Sequence, residues 1–376
     1  MNAHYRFSKS WLTNIVEEIL QEYFVTGRNF FLGSDGMRKI FLLAMIMNAI
    51  FFSCNFVSAE KISLTYSDHE PFGNMRTKFL NDVFFKEIEK ISSGNITVIP
   101  HWNGELGISY DALKNLQDGT QVQISTIVPE YFSKELPLHQ IFKSFPAGPT
   151  GNEQVKFFSQ IYNEIPELLN EIENQNLKVI FVATGYPVAF FNTEKISSLN
   201  QLRRKKIRSA SFWHRDFLKN FGSIPVNIRW GQEVFDALKN KTLDGLMVNI
   251  DSGYDINAHK VAPNILTSQK FWLGHEYIVA MNKNAYDKLS EDDKRIIELA
   301  AENSYKKLGK IMDESFFKQI ELLKSEGVDL KILSDYEVQS FVKSVDYEKI
   351  QDKWAYENSA ENVLNSIRKY MKKFVI

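Results

Sequence analysis

From Lys61 onward the chain alternates short β-type runs with helical stretches, and that alternation restricts it to an α/β architecture. Lys61-Ile62-Ser63-Leu64-Thr65-Tyr66 has the two-residue period of a strand, whereas residues 75–91 place Phe79, Val83, Ile88 and Ile91 at helical spacing. Residues 95–99 form the next strand, bounded by Pro100. Residues 109–117 read as a helix stopped at Asp118-Gly119, and residues 122–128 as a third strand. This β-α-β-α-β order predicts a mostly parallel sheet with helices on its faces.

A second series follows the helical segment 154–173. Strands are expected at 178–183, 206–209, 225–228, 243–248 and 275–281, with helices at 212–221, closed by Gly222, and at 233–240. The longest helix spans 290–325. Ser290 is its N-cap, Glu291, Asp292 and Asp293 fill the first turn, and Gly327 is the stop. At ~1.5 Å per residue it is roughly 50 Å long, more than one small lobe, so it runs across two. The chain has no internal repeat and no low-complexity linker, which predicts lobes joined by several crossings.

Ahead of this region, residues 37–59 read as a secretory signal peptide. Arg38-Lys39 leads an apolar run from Ile40 to Phe52, and Val57-Ser58-Ala59 supplies the small residues of a cleavage site. A bilayer span takes ~20 apolar residues, and Asn48, Ser53 and Asn55 interrupt this one. An uncleaved anchor and a lipid on Cys54 are the alternatives. Residues 1–36 read as an extension upstream of Met37, the expected initiator, and they take no part in the fold reasoning. The mature chain is expected to begin near Glu60, in the periplasm.

Residues 1–59 carry five basic and four acidic side chains of the chain's 45 and 46, leaving 40 against 42, a formal charge of −2. That balance offers neither the basic face of a nucleic-acid binder nor a polybasic membrane patch. The only cysteine, Cys54, leaves with the signal peptide, so the mature chain is stabilised by burial without a disulfide.

No HExxH, Walker A, CxxC or G-x-S-x-G motif is present. His214-Arg215-Asp216 echoes a kinase catalytic loop, but no Gly-rich loop or DFG accompanies it, and Asn220 is one residue too close for the metal ligand. The histidines have no metal-ligand spacing, so no metal and no cofactor are expected. The chain therefore reads as a binder rather than an enzyme, with an exported enzyme of another type as the alternative.

Several segments in order carry a family resemblance. Trp102-Asn103-Gly104-Glu105-Leu106-Gly107 forms a turn after the second strand, and residues 198–208 read Ser-Leu-Asn-Gln-Leu-Arg-Arg-Lys-Lys-Ile-Arg. Phe221-Gly222-Ser223-Ile224-Pro225-Val226 follows, then Glu233-Val234-Phe235-Asp236-Ala237-Leu238 with Leu243-Asp244-Gly245, and last Leu289-Ser290-Glu291-Asp292-Asp293 at a helix start. Together they resemble the solute-binding proteins of TRAP transporters, the DctP-like family, over nearly all of 60–327.

The resemblance implies a two-lobed periplasmic binding protein of the Venus-flytrap type, with a long helix spanning both lobes. Lobe I would comprise 60–185 and 270–310, and lobe II 186–269 and 311–376. It implies capture of a small organic acid between the lobes and delivery to TRAP permease membrane subunits. A ligand-presenting sensor of a signalling system is the alternative role. Arg208 occupies the family's carboxylate-binding position, and a guanidinium matches a carboxylate with two parallel hydrogen bonds. Trp230 falls where the family places a ring against the ligand, and Arg229 offers a second positive charge. The family's asparagine position is filled by Val248, with Asn249 one residue later. Where many members carry another arginine, residues 185–190 have none, which leaves Tyr186 as a neutral donor and disfavours a dicarboxylate ligand.

Overall fold

The computed structural model describes residues 61–272 and 276–375. The extension, the signal peptide, Glu60 and His275 lie outside the described residues.

Two mixed sheets make two α/β lobes. The first has strand order β2-β1-β3-β10-β4, with β1 Ile62–Ser67, β2 Ile96–His101, β3 Ile124–Ile127, β4 Leu177–Thr184 and β10 Glu276–Asn282. The second has order β11-β9-β5-β8-β6-β7, with β5 Val188–Asn192, β6 Lys206–Arg208, β7 Ile224–Val226, β8 Gly245–Asn249, β9 Asn264–Thr267 and β11 Asp329–Ile332. Within each sheet one strand runs against the rest, β10 in the first and β5 in the second. These two reversed strands are the ones reached by crossing from the other sheet: β4 passes into β5 through 185–187, and β9 into β10 through 268–275.

The third crossing is the long helix Glu291–Ser325, whose outgoing end leads to β11. Ser290 caps it, accepting from the Asp293 amide while the Asp293 carboxylate accepts from the Ser290 amide, and Gly327 follows with φ +81°. Its buried face, from Ile297 to Leu323, lies in one continuous core with Leu64 and Tyr66 of the first sheet and Phe191, Leu246 and Ile265 of the second. The helix therefore braces both lobes through packing. A second core joins the other face of the second sheet to the C-terminal helices through Trp213, Phe217, Phe341 and Trp354. Among the described residues, no helix is long and apolar enough to cross a membrane.

Several expectations change on the way. β2 does not stop before Pro100 but runs through it to His101, which an edge strand permits because its outward amides need no partner. The segment 154–173 is two helices, Gly151–Glu164 and Pro166–Glu173, since Pro166 lacks an amide and starts the second. The first sheet is mostly parallel as expected, with β10 inserted antiparallel between β3 and β4. The helix over 75–91 carries a π-helical turn at Leu80–Phe85.

Candidate functional site

Parallel strands of the two sheets end facing one another, and open α/β sheets bind ligands beyond the carboxyl ends of their strands. Just past β1 stand His69 and Glu70, and just past β3 stand Val128, Glu130 and Tyr131. From the other lobe come Arg208 at the end of β6, Ser209 to Ser211 after it, and Val248 near the end of β8. With His214, Trp230 and Tyr277 they line a cleft whose empty space, open solvent included, is about 450 Å3.

Arg208 dominates its chemistry. The residue is 2% exposed, yet among the described residues no carboxylate lies within ion-pairing distance of it. Among the described residues its one hydrogen bond runs from Nε to the Ile228 carbonyl at 3.0 Å, and neither Nη has a partner among them. The guanidinium carbon sits 5.2 Å from the centre of the Trp230 ring. Burial pulls its pKa below the usual arginine value, with Tyr131 and Tyr110 opposing and Arg215 adding to the effect. An arginine remains charged under such conditions. A buried cation without a counter-charge costs several kcal/mol, so this position is complementary to an anion.

The opposite wall is built on another arginine, which the sequence reading did not single out. Arg76, 2% exposed, grips Asp68 through both Nη atoms at 2.5 and 2.9 Å and reaches Glu70 at 2.7 Å. Tyr66 donates to Asp68 from the other side, and the Arg76 guanidinium lies 4.4 Å over the Tyr277 ring. Burial pushes the Asp68 carboxyl up, but the adjacent Arg76 guanidinium outweighs it and holds the group at about 2. This cluster fixes Glu70 in the cavity wall facing Arg208. Asn74 ties it to the second lobe, donating to Glu70 at 2.6 Å and to Asp255 at 3.4 Å. Burial, with Glu70 adding to it, pushes Asp255 up to about 6 and Asp251 well above the carboxylate range.

Of the five residues expected at the site, the structure brings Arg208 and Trp230 together. Arg229 is exposed at the rim, where its guanidinium stacks 4.6 Å over Tyr110 of the first lobe. Asn249 is 1% exposed at the end of β8, does not line this cavity, and neither polar atom of its side chain has a partner. Tyr186 lines a different pocket at the crossing between sheets, beside Met312 and Asp313 of the long helix. Its phenol is pushed up by burial and by Asp251. Glu70, Tyr131, His214 and Tyr277 were missed. A signal existed for the first two, since each lies within a few residues of the end of a parallel strand. Among the described residues no group of acidic, histidine or cysteine side chains could hold a metal ion.

The family model for bacterial extracellular solute-binding protein, family 7 (DctP), matches residues 67–353. The ectoine-binding periplasmic protein TeaA of Halomonas elongata is 28% identical over 279 residues, covering 70% of this chain and 77% of its own. The high-resolution structure of the ectoine-binding protein of the Halomonas elongata TeaABC TRAP transporter superposes with a TM-score of 0.71 at 22% identity, over 83% of this chain and 99% of that one. A TRAP solute-binding protein of Rhodoferax ferrireducens, solved with copurified benzoate, gives 0.72 at 17% identity, over 84% and 98%. With most of its length matched, the chain belongs to the DctP family of bacterial extracellular solute-binding proteins.

Proposed function

We propose that this protein is the periplasmic receptor of a TRAP-type transporter, capturing a small organic acid between its lobes and delivering it to the membrane permease. The observation that carries the reading is Arg208, a buried guanidinium on the cavity wall with no counter-charge among the described residues. A ligand carboxylate would supply the missing anion through two parallel charge-assisted hydrogen bonds. Trp230 covers that end of the cavity.

The far wall argues for a monocarboxylate or a zwitterion over a dicarboxylate. Glu70 lines the cavity there, with Asp255 beyond it across Asn74, and a second carboxylate would meet like charge. Glu70 and the Tyr131 ring on that wall suit a delocalised cation. Ectoine, named for the relative from Halomonas elongata, is such a zwitterion, a carboxylate on a cyclic amidinium ring.

A thermal-shift screen of monocarboxylates, dicarboxylates and zwitterionic acids tests the proposal, because ligand bound only to the folded state raises the melting temperature. Stabilisation by monocarboxylates or zwitterions is expected. Stabilisation by neutral sugars and not by any acid would contradict it.

A further inference from the structure

Beside Arg208 the cleft wall offers hydrogen-bond donors and withholds its acceptors. The chain leaves β6 at Arg208, passes through Ser209, Ala210 and Ser211, and enters the ten-residue helix Phe212–Phe221. Those three residues line the cleft together with Arg208. Their carbonyls are all engaged by Arg215. Its guanidinium donates to the carbonyls of Ser209, at 3.4 Å, and Ala210, and its amide donates to that of Ser211 at 3.1 Å. The amides of the same stretch are not engaged. Among the described residues, the backbone N–H groups of Ala210, Ser211, Phe212, Trp213 and His214 have no hydrogen-bond partner.

Ser211 is the N-cap of the helix, with an extended backbone at φ −69° and ψ 135°, yet its hydroxyl caps nothing. An N-cap serine ordinarily accepts from an amide of the first turn. Ser211 is 5% exposed, and its hydroxyl has no partner among the described residues, yet that oxygen is not sealed from solvent and so opens on the cleft that the residue lines. The same holds for both Nη atoms of the buried Arg208.

Unpaired amides at the start of a helix attract anions. Here they stand beside an independent sign of an anionic ligand, the buried guanidinium open to the same cleft. Backbone amides in such places are nearly always paired, so five in succession mark a surface that a ligand completes. A carboxylate fills the Arg208 fork with its two oxygens. The helix start then still lacks an acceptor.

We infer that the anion subsite extends from Arg208 over Ser211 and the start of the helix Phe212–Phe221, and that it takes sulfonates as well as carboxylates. Arg208 holds two oxygens, and the Ser211 hydroxyl with the neighbouring amides holds the third. This rests on the reading of Arg208 as the anion anchor. A sulfonate carries one negative charge, whereas a phosphonate gains a second near neutral pH and would meet Glu70 and Glu130 on the first-lobe wall.

Matched acids that differ only in the anionic group test the inference: taurine against β-alanine, propane-1-sulfonate against butyrate, and benzenesulfonate against benzoate. If the guanidinium alone made contact, the third sulfonate oxygen would be a buried acceptor without a donor, and the sulfonate would bind about tenfold or more weakly than its partner. In calorimetry the wild-type protein should instead bind the sulfonate of the tightest-binding pair within tenfold of the carboxylate, or more tightly. A sulfonate more than tenfold weaker in that pair would overturn the inference and leave the Arg208 anchor standing. If no carboxylate or sulfonate binds, the anchor falls and this inference with it.

Ser211→Ala removes a hydroxyl that makes no hydrogen bond in the protein, so the fold should survive. The variant should weaken the sulfonate about fivefold or more and leave the carboxylate within twofold, whereas Arg208→Ala should weaken both. A ratio of the two affinities that Ser211→Ala leaves unchanged would overturn the inference.

Discussion

Two arginines of equal burial have opposite roles, and the difference lies in what stands beside them. Arg76 is enclosed by Asp68 and Glu70, whereas Arg208 has only a carbonyl and an indole face. Arg76→Ala should cost about 3–5 kcal/mol in urea unfolding, because it strands the buried Asp68 carboxylate. Arg208→Ala should leave the ligand-free protein as stable as before or more so, since it removes a charge with no partner. A large loss of stability in Arg208→Ala would mean that the guanidinium has a structural partner. The sequence pointed to Arg208 through its family position, while strand alternation gave no decision, since Lys206 and Arg208 share a face. What separates them is position along β6: Lys206 starts the strand in solvent, and Arg208 ends it in the cavity. Arg76 was illegible because its significance depends on Asp68 and Glu70 folding back across a turn.

At the scale of elements, the ends of helices were legible and their neighbours were not. Ser290 and Gly327 bound the long helix as their chemistry dictates, and Gly222, with φ +96°, ends the helix Phe212–Phe221. β5 escaped because both its faces are buried, so it lacks the alternation that marks a half-exposed strand. The C-terminal helices were unread although Val363, Leu364, Ile367 and Met371 recur at helical spacing. Gly309 shows what the long helix must accommodate. A Cβ there would lie 2.5 Å from the Asn152 amide nitrogen at the start of Gly151–Glu164. In an exposed helix interior, Gly→Ala stabilises by about 1 kcal/mol. Here the facing atom is backbone and cannot swing aside, so Gly309→Ala should destabilise by about 1–3 kcal/mol in chemical denaturation. A stabilised variant would show that the two helices are less closely apposed.

For the whole molecule, the α/β class and the bracing helix could be read from periodicity and length, but the order of strands could not. Insertion of β10 between β3 and β4, with its chain direction reversed, depends on pairings more than 90 residues apart that leave no local trace. One such long-range arrangement has a global consequence. Glu276, at the start of β10, is buried beside Tyr162, which donates to it at 2.8 Å, and burial pushes its carboxyl up to about 7 from an ordinary 4.5. The folded state thus keeps a proton that the unfolded chain releases, so stability should fall as pH rises between 4.5 and about 7. Asp255, pushed up to about 6, acts in the same direction. Melting temperatures followed across this range should decline, and Glu276→Gln should flatten the decline. A melting temperature that instead rises across the window would show that Glu276 is ionised in the fold.

Both lobes contribute to one cavity, in which Arg208 is proposed to anchor a carboxylate. Calorimetric titration of the wild type and of Arg208→Ala with the most stabilising acid from the screen is the direct measurement. A loss of about 2–5 kcal/mol in binding free energy is expected, the cost of removing one partner of a buried charge pair. Affinity near that of the wild type would contradict it.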